Sequence, residues 1–341
     1  MHIDASREAP EKRGRMTSAI RGGNIKLLVE IARAYYEQEH DQSMIAESLG
    51  ISRSQVSRYL TQARNLNLVQ IRVVSPEDRT GDVEAALKNR FSSLKEAVVA
   101  PVFNMRPGPL RKTIARTCAH YLEQVVRPGL RICVGSGRTL CEVFNWLQPS
   151  EVSNVSIIQA MGNVGHEAME IDFNQMARAA ADAFGARIYF MNAPAILGSG
   201  TVAELIAANP SIHEALKLAH AADAYLFGIG SMSSDLIFTR GGILKLHDLE
   251  HLRQEGSVGD ICGHFFDSAG VEVPSSFKDR IVGISLADLR SNALTIAVAG
   301  GPDKVLPLIG ALHGGFIKVL ITDEQTAHAI LEYESEMDLS H

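Results

Sequence analysis

Three short amphipathic segments follow one another between residues 26 and 65. In each of them the apolar residues recur three or four positions apart, the spacing that gathers side chains on one face of a helix. These residues are, segment by segment, Leu27, Leu28, Ile31 and Tyr35, then Ile45, Ala46 and Leu49, and finally Val56, Leu60 and Ala63. Gly50 follows the second segment and suits the left-handed conformation that turns a chain sharply. The pattern predicts a helix-turn-helix supported by a preceding helix.

The third segment has a helix start signal and a polar outer face. Ser52 stands where an N-cap is expected and Gln55 completes the capping-box spacing, so the helix should begin near Arg53. In a helix-turn-helix this helix enters the major groove, where hydroxyl, amide and guanidinium groups near its N-terminus meet base edges and phosphates. The candidate DNA-binding residues are Ser52, Arg53, Ser54, Gln55, Ser57 and Arg58. A solvated helix face is the plainer interpretation of the same pattern.

The pattern changes beyond the third helix. The stretch "LNLVQIRVVSP" alternates like a strand and ends in Ser-Pro, which is typical of an exit strand before a linker. Residues 76–92 have Val83, Leu87 and Phe91 at helical spacing, which indicates a helix that connects two domains or contacts another subunit. From Ala97 onward short apolar runs alternate with helical segments, and this alternation predicts a mostly parallel sheet covered by helices on both faces. The expected strands are "EAVVA", "LRICV", "VSIIQ", "ARIYFM", "AYLFGI", "LTIAVA" and "FIKVLIT".

Composition narrows the class of protein. A chain of 341 residues is long enough for about two domains. Its content of 46% hydrophobic and 21% charged residues is typical of a soluble globular protein. No run approaches the roughly 20 apolar residues of a membrane helix, and the N-terminal residues contain no apolar signal segment, so we expect a cytoplasmic protein without membrane attachment. The cysteines, which have neither CxxC spacing nor clustered histidines, predict no zinc site and no disulfide framework. They are Cys118, Cys133, Cys141 and Cys262.

Charge is distributed unevenly along the chain. Residues 1–75 have a net charge of +3, whereas the remainder has a net charge of −9. Because lysine and arginine contacts to phosphates supply much of the affinity for DNA, a positive module on an acidic body fits a DNA-binding function. The excess is small, so we expect two such modules to act together.

One glycine-rich turn follows the strand that should end at Val134. In a parallel sheet ligands bind beyond the carboxyl ends of the strands. Glycines there let backbone amides approach an anion, the next helix begins with an electropositive terminus, and hydroxyl groups donate further hydrogen bonds. The residues of this predicted phosphate site are Gly135, Ser136, Gly137, Arg138 and Thr139. The spacing differs from the P-loop and from the dinucleotide fingerprint, so we expect no nucleotide cofactor. A tight strand-to-helix turn capped by Ser or Thr fits the same residues.

Other expected strand ends supply companions to this turn. They are Gly162 and Asn163 after "SIIQ", Gly228, Gly230 and Ser231 after "AYLF", and Gly300, Gly301 and Lys304 after "TIAV". A cation in the first turn of a helix gains nothing from the helix dipole, so Lys304 is better explained by a bound anion, with an exposed lysine as the alternative. Asp260 carries a carboxylate that accepts hydrogen bonds from sugar hydroxyls, whereas Asp267 precedes a glycine and is interpreted as a turn residue.

Together these segments resemble SorC-type bacterial transcriptional regulators from Asn24 to about Leu331. The matching segments are "YYEQEHDQSMIAESLGISRSQVSRYLTQARNLNLVQI", "VGSGRTL", "GIGS", "GSVGDICGHFFDSAG", "VGISLADL", "AVAGGPDK" and "VLITDEQTA". The resemblance implies a cytoplasmic regulator of a carbohydrate operon that binds operator DNA and forms a homotetramer from dimers. It also implies a Rossmann-like α/β effector domain related in fold to sugar-phosphate isomerases and glucosamine-phosphate deaminases. The fold class expected is therefore α/β, with an N-terminal helix-turn-helix domain.

The resemblance also implies roles for individual residues. It implies that the effector phosphate is bound by Gly135, Ser136, Gly137, Arg138, Thr139 and Lys304. It also implies that Asp260 and Cys262 lie in the segment that faces the sugar. Many relatives carry a second glycine where this chain has Asn163, and the apolar Met161 precedes it. We therefore expect a singly phosphorylated sugar or polyol rather than a bisphosphate.

These patterns divide the chain into a disordered tail (1–23), a helix-turn-helix domain (24–75), a linker helix (76–92) and a sugar-binding effector domain (93–335). We expect effector binding to change the subunit arrangement and with it the spacing of the recognition helices. The competing function is a sugar-phosphate isomerase or deaminase fused to a DNA-binding domain. Such an enzyme needs a positioned general base, and no motif assigns that role to Asp260, His264 or Asp267, so we expect no catalytic activity.

Overall fold

The chain divides into two units, Met1–Pro76 and Glu77–His341. The computed structural model describes residues 22–38, 40–66, 68–69, 80–102, 104–150, 152–164, 173–292 and 294–339. Residues 1–21 of the expected disordered tail and most of the expected exit strand lie outside the described residues, whereas Gly22 and Gly23 belong to the first helix, so the predicted tail boundary at residue 23 was wrong. Within these ranges, no helix is long and apolar enough to cross a membrane.

The secondary structure alternates between helices and strands after the first three helices. The helices are α1 (Gly22–Tyr36), α2 (Gln42–Leu49), α3 (Arg53–Asn65), α4 (Thr80–Arg90), α5 (Pro107–Val125), α6 (Arg138–Trp146), α7 (Phe173–Phe184), α8 (Val202–Ala208), α9 (Pro210–His220), α10 (Ile237–Arg240), α11 (Leu246–Gln254), α12 (Leu286–Ser291), α13 (Val305–His313) and α14 (Glu324–Leu339). The strands are β1 (Glu96–Ala100), β2 (Arg131–Val134), β3 (Ser156–Gln159), β4 (Arg187–Tyr189), β5 (Ala224–Phe227), β6 (Gly230–Ser231), β7 (Gly259–Ile261), β8 (His264–Phe266), β9 (Thr295–Val298) and β10 (Val319–Asp323). Turns of 3₁₀ helix cover Lys278–Arg280 and Pro302–Lys304.

The smaller unit contains the expected helix-turn-helix. The apolar residues of the three segments are buried against one another, including Ile31 of α1, Ile45 of α2, and Val56 and Leu60 of α3. Gly50 ends α2 in the left-handed conformation, with φ of 64°, and its N–H donates back to carbonyl groups of α2. A side chain at this position would be strained, because L residues rarely adopt that conformation. The turn between α2 and α3 therefore depends on the glycine.

A reciprocal cap begins α3 at Arg53, as predicted. The Ser52 hydroxyl accepts a hydrogen bond from the Gln55 backbone N–H at 3.3 Å, and the Gln55 side-chain oxygen accepts one from the Ser52 N–H at 2.9 Å. These two bonds satisfy amide groups that the helix itself leaves without acceptors. The cap thus sets the start of the helix that carries the candidate DNA-binding residues.

Removing the cap should destabilise the smaller unit. We expect Ser52→Ala to lower its free energy of unfolding by about 1 kcal/mol, the usual effect of an N-cap serine. Thermal unfolding of the full chain followed by circular dichroism measures this change. Ser57→Ala is the matched control, because it removes an exposed hydroxyl from α3 without touching the cap. Equal destabilisation by both substitutions would show that the cap is not the cause.

The larger unit is built on a parallel seven-stranded sheet in the order β1-β10-β9-β5-β2-β3-β4. Each of the seven strands expected from the apolar runs contributes to it. Side chains alternate between the two faces, so that along β2 Ile132 and Val134 belong to one buried cluster and Cys133 to the other. Helices cover both faces, as the alternation of strands and helices predicted.

A second sheet was not predicted. It contains β6, β7 and β8 in antiparallel order, with strands of two or three residues. Strands this short leave no alternating pattern in the sequence. The turn between β7 and β8 uses positive φ angles at Cys262 (52°) and Gly263 (89°). The small sheet places the β7 residues Gly259–Ile261 beside the loop that follows β5.

The interpretation of residues 76–92 as a linker needs correction, because α4 packs within the larger unit. Val83, Leu87 and Phe91 are buried in one cluster with residues of the main sheet. The carboxylate of Glu84 accepts a hydrogen bond from the backbone N–H of Val99 in β1, at 2.8 Å. The larger unit therefore begins before α4 rather than at residue 93.

Candidate functional site

The connections of the main sheet change direction at its centre. From β2 the chain proceeds to β3 on one side, and β5 later returns to the other side of β2. At such a point the loops separate and leave a crevice beyond the carboxyl ends of the strands, where open α/β sheets bind ligands. A cavity of about 380 Å³ lies there, and the loops after β2, β5 and β9 form much of its lining.

The loop after β2 brings the start of α6 to the cavity. Gly135 packs closely, since a β-carbon there would lie 3.4 Å from the Cys262 sulfur and from the Phe227 β-carbon. Gly137 is the N-cap of α6, and within the described residues no side chain caps the first turn of that helix. The interpretation as a turn capped by Ser or Thr therefore does not match the structure. The amide groups of the first turn remain available to a ligand.

Lys304 lies on the loop after β9 and contacts the loop after β5. Its ammonium nitrogen is 3.1 Å from the Ser231 hydroxyl and 3.3 Å from the Asp303 carboxylate, and the Ser231 hydroxyl also donates to Asp303 at 2.9 Å. The side chain is 23% exposed, so the alternative of a freely exposed lysine does not hold. These contacts fix a cation at the cavity wall.

Asp260 of β7 is a buried carboxyl group in the cavity lining. Its oxygen accepts a hydrogen bond from the Gly263 N–H at 3.0 Å, and a side chain at Gly230 would collide with the carboxyl group. Burial raises the pKa of Asp260 to about 6, although the Gly263 N–H and the nearby Lys304 cation act to lower it. A carboxyl group in this state accepts hydrogen bonds from hydroxyl groups when ionised and donates one when protonated.

The raised pKa of Asp260 predicts a pH-dependent stability. Its pKa in the folded state lies above the ordinary value of 3.8, so this group favours folding most below pH 4, and the contribution is lost as the pH rises through 6. The Asp260→Asn variant stays neutral at this position, so we expect its stability relative to the natural chain to increase by about 2 kcal/mol between pH 4 and pH 7.5. Urea unfolding at both pH values measures the difference. A difference that does not vary with pH would contradict the prediction.

Most of the predicted effector residues lie together in the cavity lining. They are Gly135, Ser136, Gly137, Arg138, Thr139, Asp260, Cys262 and Lys304. Among them, the Arg138 guanidinium forms an ion pair with the Asp235 carboxylate. The same carboxylate lies 3.6 Å from the Arg240 guanidinium.

Gly162 and Asn163 are not among the described residues that line the cavity, although Met161 is. The Gly162 N–H donates to the Val282 carbonyl at 2.8 Å, and a side chain at Gly162 would collide with the Pro194 backbone. The Asn163 side-chain oxygen accepts from Gln159 at 2.9 Å. Both residues join neighbouring backbone segments, so we withdraw them from the proposed effector site.

Sequence reasoning missed several charged residues of the cavity because they lie in helices or irregular segments. They are Arg111 of α5, Arg240 of α10, and the acidic residues Asp235 and Asp303. No motif identifies them, since a charged residue near a buried helix face has no distinctive spacing.

The outer face of α3 forms a second candidate site. Ser52, Arg53, Ser54, Ser57 and Arg58 are exposed. Gln55 is partly buried, and its side-chain oxygen accepts from both the N–H and the hydroxyl of the N-cap residue. Recognition of adenine by glutamine uses both ends of the amide, so Gln55 would have to leave the cap to contact a base in this way. The two arginines present the positive charge of this face.

Comparisons with known proteins extend over both units. Residues 75–332 match the family described as "Putative sugar-binding domain". The deoxyribonucleoside regulator of Bacillus subtilis (strain 168) is 30% identical over 308 residues, which cover 90% of this chain and 97% of that protein. The sorbitol operon regulator of Klebsiella pneumoniae is 28% identical over 311 residues, which cover 91% of this chain and 98% of that protein. The crystal structure of the full-length sorbitol operon regulator SorC from Klebsiella pneumoniae matches with a TM-score of 0.72 at 27% identity, covering 90% of this chain and 98% of that one.

Proposed function

This chain belongs to the SorC-type family of sugar-binding transcriptional regulators, and from that membership we propose how its two sites work. The cavity binds a singly phosphorylated sugar or polyol, and α3 binds operator DNA of a carbohydrate or polyol catabolic operon. The observation that carries the proposal is the position of Lys304. This lysine is held at the wall of a cavity that is also lined by the N-terminus of α6, which no side chain of the described residues caps.

The phosphate is proposed to lie against the loop after β2. Amide groups of the first turn of α6 and the hydroxyls of Ser136 and Thr139 donate to its oxygens, and Lys304 supplies a positive charge. The volume of about 380 Å³ falls within the usual range for small-ligand sites. Asp260 and Cys262, elsewhere in the lining, then face the sugar or polyol part, where Asp260 bonds a hydroxyl group.

Two chemical features support the choice of a single phosphate. Met161 brings an apolar side chain to the cavity where a second phosphate group would need donors. Asn163 is not among the described lining residues, so its side-chain amide does not serve as a hydrogen-bond donor to a second phosphate. A sugar bisphosphate that binds tightly, with no response to monophosphates, would overturn this part of the proposal.

Effector and operator sites are proposed to be linked through the assembly. The chain forms a homotetramer in the bacterial cytoplasm, and effector binding favours one arrangement of subunits. That arrangement sets the distance between recognition helices, which must match the spacing of DNA half-sites. The resemblance to SorC-type regulators supports this assembly, and the small positive charge of residues 1–75 supports the use of more than one DNA-binding unit.

The cavity is proposed to sense its ligand without converting it. The relatives described above are named as regulators. Asp260 has a pKa that would also suit a general base, so incubation with candidate sugar phosphates tests this point directly. Turnover that Asp260→Asn abolishes would favour the alternative of an isomerase or deaminase fused to a DNA-binding domain.

Thermal unfolding against a ligand panel tests the effector proposal. The panel contains sugars and polyols, each with and without one phosphate, together with a sugar bisphosphate. A ligand at a hundred times its dissociation constant stabilises the folded state by about 2.7 kcal/mol, which raises the melting temperature of the larger unit by about 5 °C or more. We expect such a shift with one or a few monophosphates. A shift confined to the unphosphorylated compounds would remove the phosphate from the proposal and leave the sensor.

A further inference from the structure

Four basic side chains line the cavity, and one of them differs from the others. Arg138 and Arg240 approach Asp235, and Lys304 is 3.3 Å from Asp303. Arg111 has no acidic partner and no hydrogen-bond acceptor among the residues that the structure describes, although its Nε atom is buried from solvent. Arg111 therefore brings to the cavity a half-buried guanidinium whose Nε donor has no acceptor among the described residues.

An unsatisfied N–H of this kind is unfavourable. A buried donor without an acceptor destabilises a protein, and more so when the group is charged, so native structures contain few of them. Arginine also remains charged at every physiological pH, so this group cannot lose its charge by releasing a proton. A planar guanidinium matches two oxygens of a phosphate or carboxylate at once. Because Arg111 lines the cavity and has no acidic partner among the described residues, an anionic ligand is the partner that best balances its charge.

The surroundings of Arg111 hold it in place beside the glycine loop after β9. Two buried residues of α5 flank Arg111 in the sequence. Leu110 lies against Gly301, and Ile114 lies against Gly300. The Gly301 N–H donates a hydrogen bond to the buried Asp323 carboxylate at 3.0 Å. Because Lys304 follows on the same loop, α5 and the loop present two cations to one cavity.

We propose that Arg111 is the specificity-determining residue that selects anionic effectors, through paired hydrogen bonds from its guanidinium to two oxygens of the effector's phosphate or carboxylate group. This inference rests on the proposed sugar-sensing function of the cavity. It adds a residue that neither the motifs nor the resemblance assigned. Neutral sugars offer hydroxyl oxygens as acceptors but carry no negative charge, so they leave the Arg111 charge without a counter-ion and bind more weakly.

The test uses the full chain with three probes: inorganic phosphate, gluconate as a sugar carboxylate, and sorbitol as a neutral polyol. Isothermal titration measures each affinity in the natural chain, in Arg111→Gln and in Lys112→Gln. Lys112 is the matched control because it is the next residue of α5 and is exposed. We expect Arg111→Gln to weaken binding of phosphate, of gluconate or of both by about 10- to 100-fold, the usual effect of losing a hydrogen-bonded charge. Lys112→Gln should change these affinities less than twofold.

The unliganded melting temperature separates a ligand-binding role from a structural one. Arg111→Gln removes a buried Nε donor that has no acceptor among the described residues, so the variant should melt at or above the temperature of the natural chain. Unchanged anion affinity in Arg111→Gln would overturn the assignment, and so would a melting temperature lowered by several degrees, since Arg111 would then be needed for folding.

Failure of this inference is distinguishable from failure of the proposed function. Gluconate binding that depends on Arg111, without phosphate binding, would keep the inference and remove the phosphate from the proposed function. Phosphate binding that depends on Lys304 but not on Arg111 would have the opposite meaning. Binding of neither anion by the natural chain would overturn the inference and leave the operator-binding proposal to its own test.

Discussion

Lys304→Ala is expected to weaken the binding of the phosphorylated effector by about 100-fold, with a range from about 30- to 3000-fold for the loss of one member of a desolvated charge pair. Lys304 is less than one-quarter exposed and is held by Ser231 and Asp303. Its removal takes away both a donor to the phosphate and a positive charge that offsets Asp303 and Asp260. At a ligand concentration of a hundred times the natural dissociation constant, the ligand-induced shift in melting temperature should fall to about one-seventh of its natural size.

Lys217→Ala is the control for this prediction. Lys217 belongs to the same unit, is 70% exposed and pairs only weakly with Glu214, at 4.0 Å. The Lys217→Ala variant should bind the effector with the affinity of the natural chain. If Lys304→Ala bound phosphorylated and unphosphorylated ligands with unchanged affinities, the phosphate would have to lie elsewhere in the cavity.

The double substitution of Arg53 and Arg58 by alanine is expected to weaken operator binding by about 100-fold or more, since each contact contributes about 1–3 kcal/mol. Both side chains are exposed on α3, so the fold of the smaller unit should be unaffected. Arginines that contact phosphates also make binding salt-dependent, and loss of two such contacts should reduce the slope of log affinity against log salt by about 2.

Single substitutions then separate the two arginines. A residue that contacts only phosphate weakens binding to all sequences alike, whereas one that reads a guanine also relaxes the preference at that base pair. Arg33→Ala is the control, because Arg33 is exposed on α1 and lies 3.8 Å from Glu37. Unchanged operator affinity in the double variant would exclude α3 as the recognition helix.

Six strands of the main sheet were predictable because they are largely buried apolar runs bounded by turn residues, and the edge strand β4, which is exposed or half-buried, was predictable from its β-branched and aromatic residues. The antiparallel strands β6–β8 were not, because two or three residues leave no periodic signal and the turn between β7 and β8 depends on positive φ at Cys262. The same limit applies to α4. Its apolar spacing predicted a helix, but periodicity does not identify the surface against which a helix packs.

The candidate site divides in a similar way. The rule that ligands bind beyond strand ends located the loops after β2, β5 and β9, because these strands are central in the sheet. It failed for Gly162 and Asn163, since their loop closes on backbone groups of neighbouring segments. Arg111 reaches the cavity from a helix face, and only the packing of α5 on the loop after β9 reveals it.

We propose that one chain links a sugar-sensing cavity to a helix that recognises operator DNA. The most direct test of this claim begins with operator DNA selected from a random library by the full chain at a fixed salt concentration. The affinity for that DNA is measured by fluorescence anisotropy with and without the monophosphate identified by thermal unfolding, and the affinity for the monophosphate is measured with and without the DNA. Linkage requires both affinities to change by the same factor, which we expect to lie between about 5 and 150. A monophosphate that binds tightly at the cavity yet leaves the operator dissociation constant unaltered at saturation would contradict the claim.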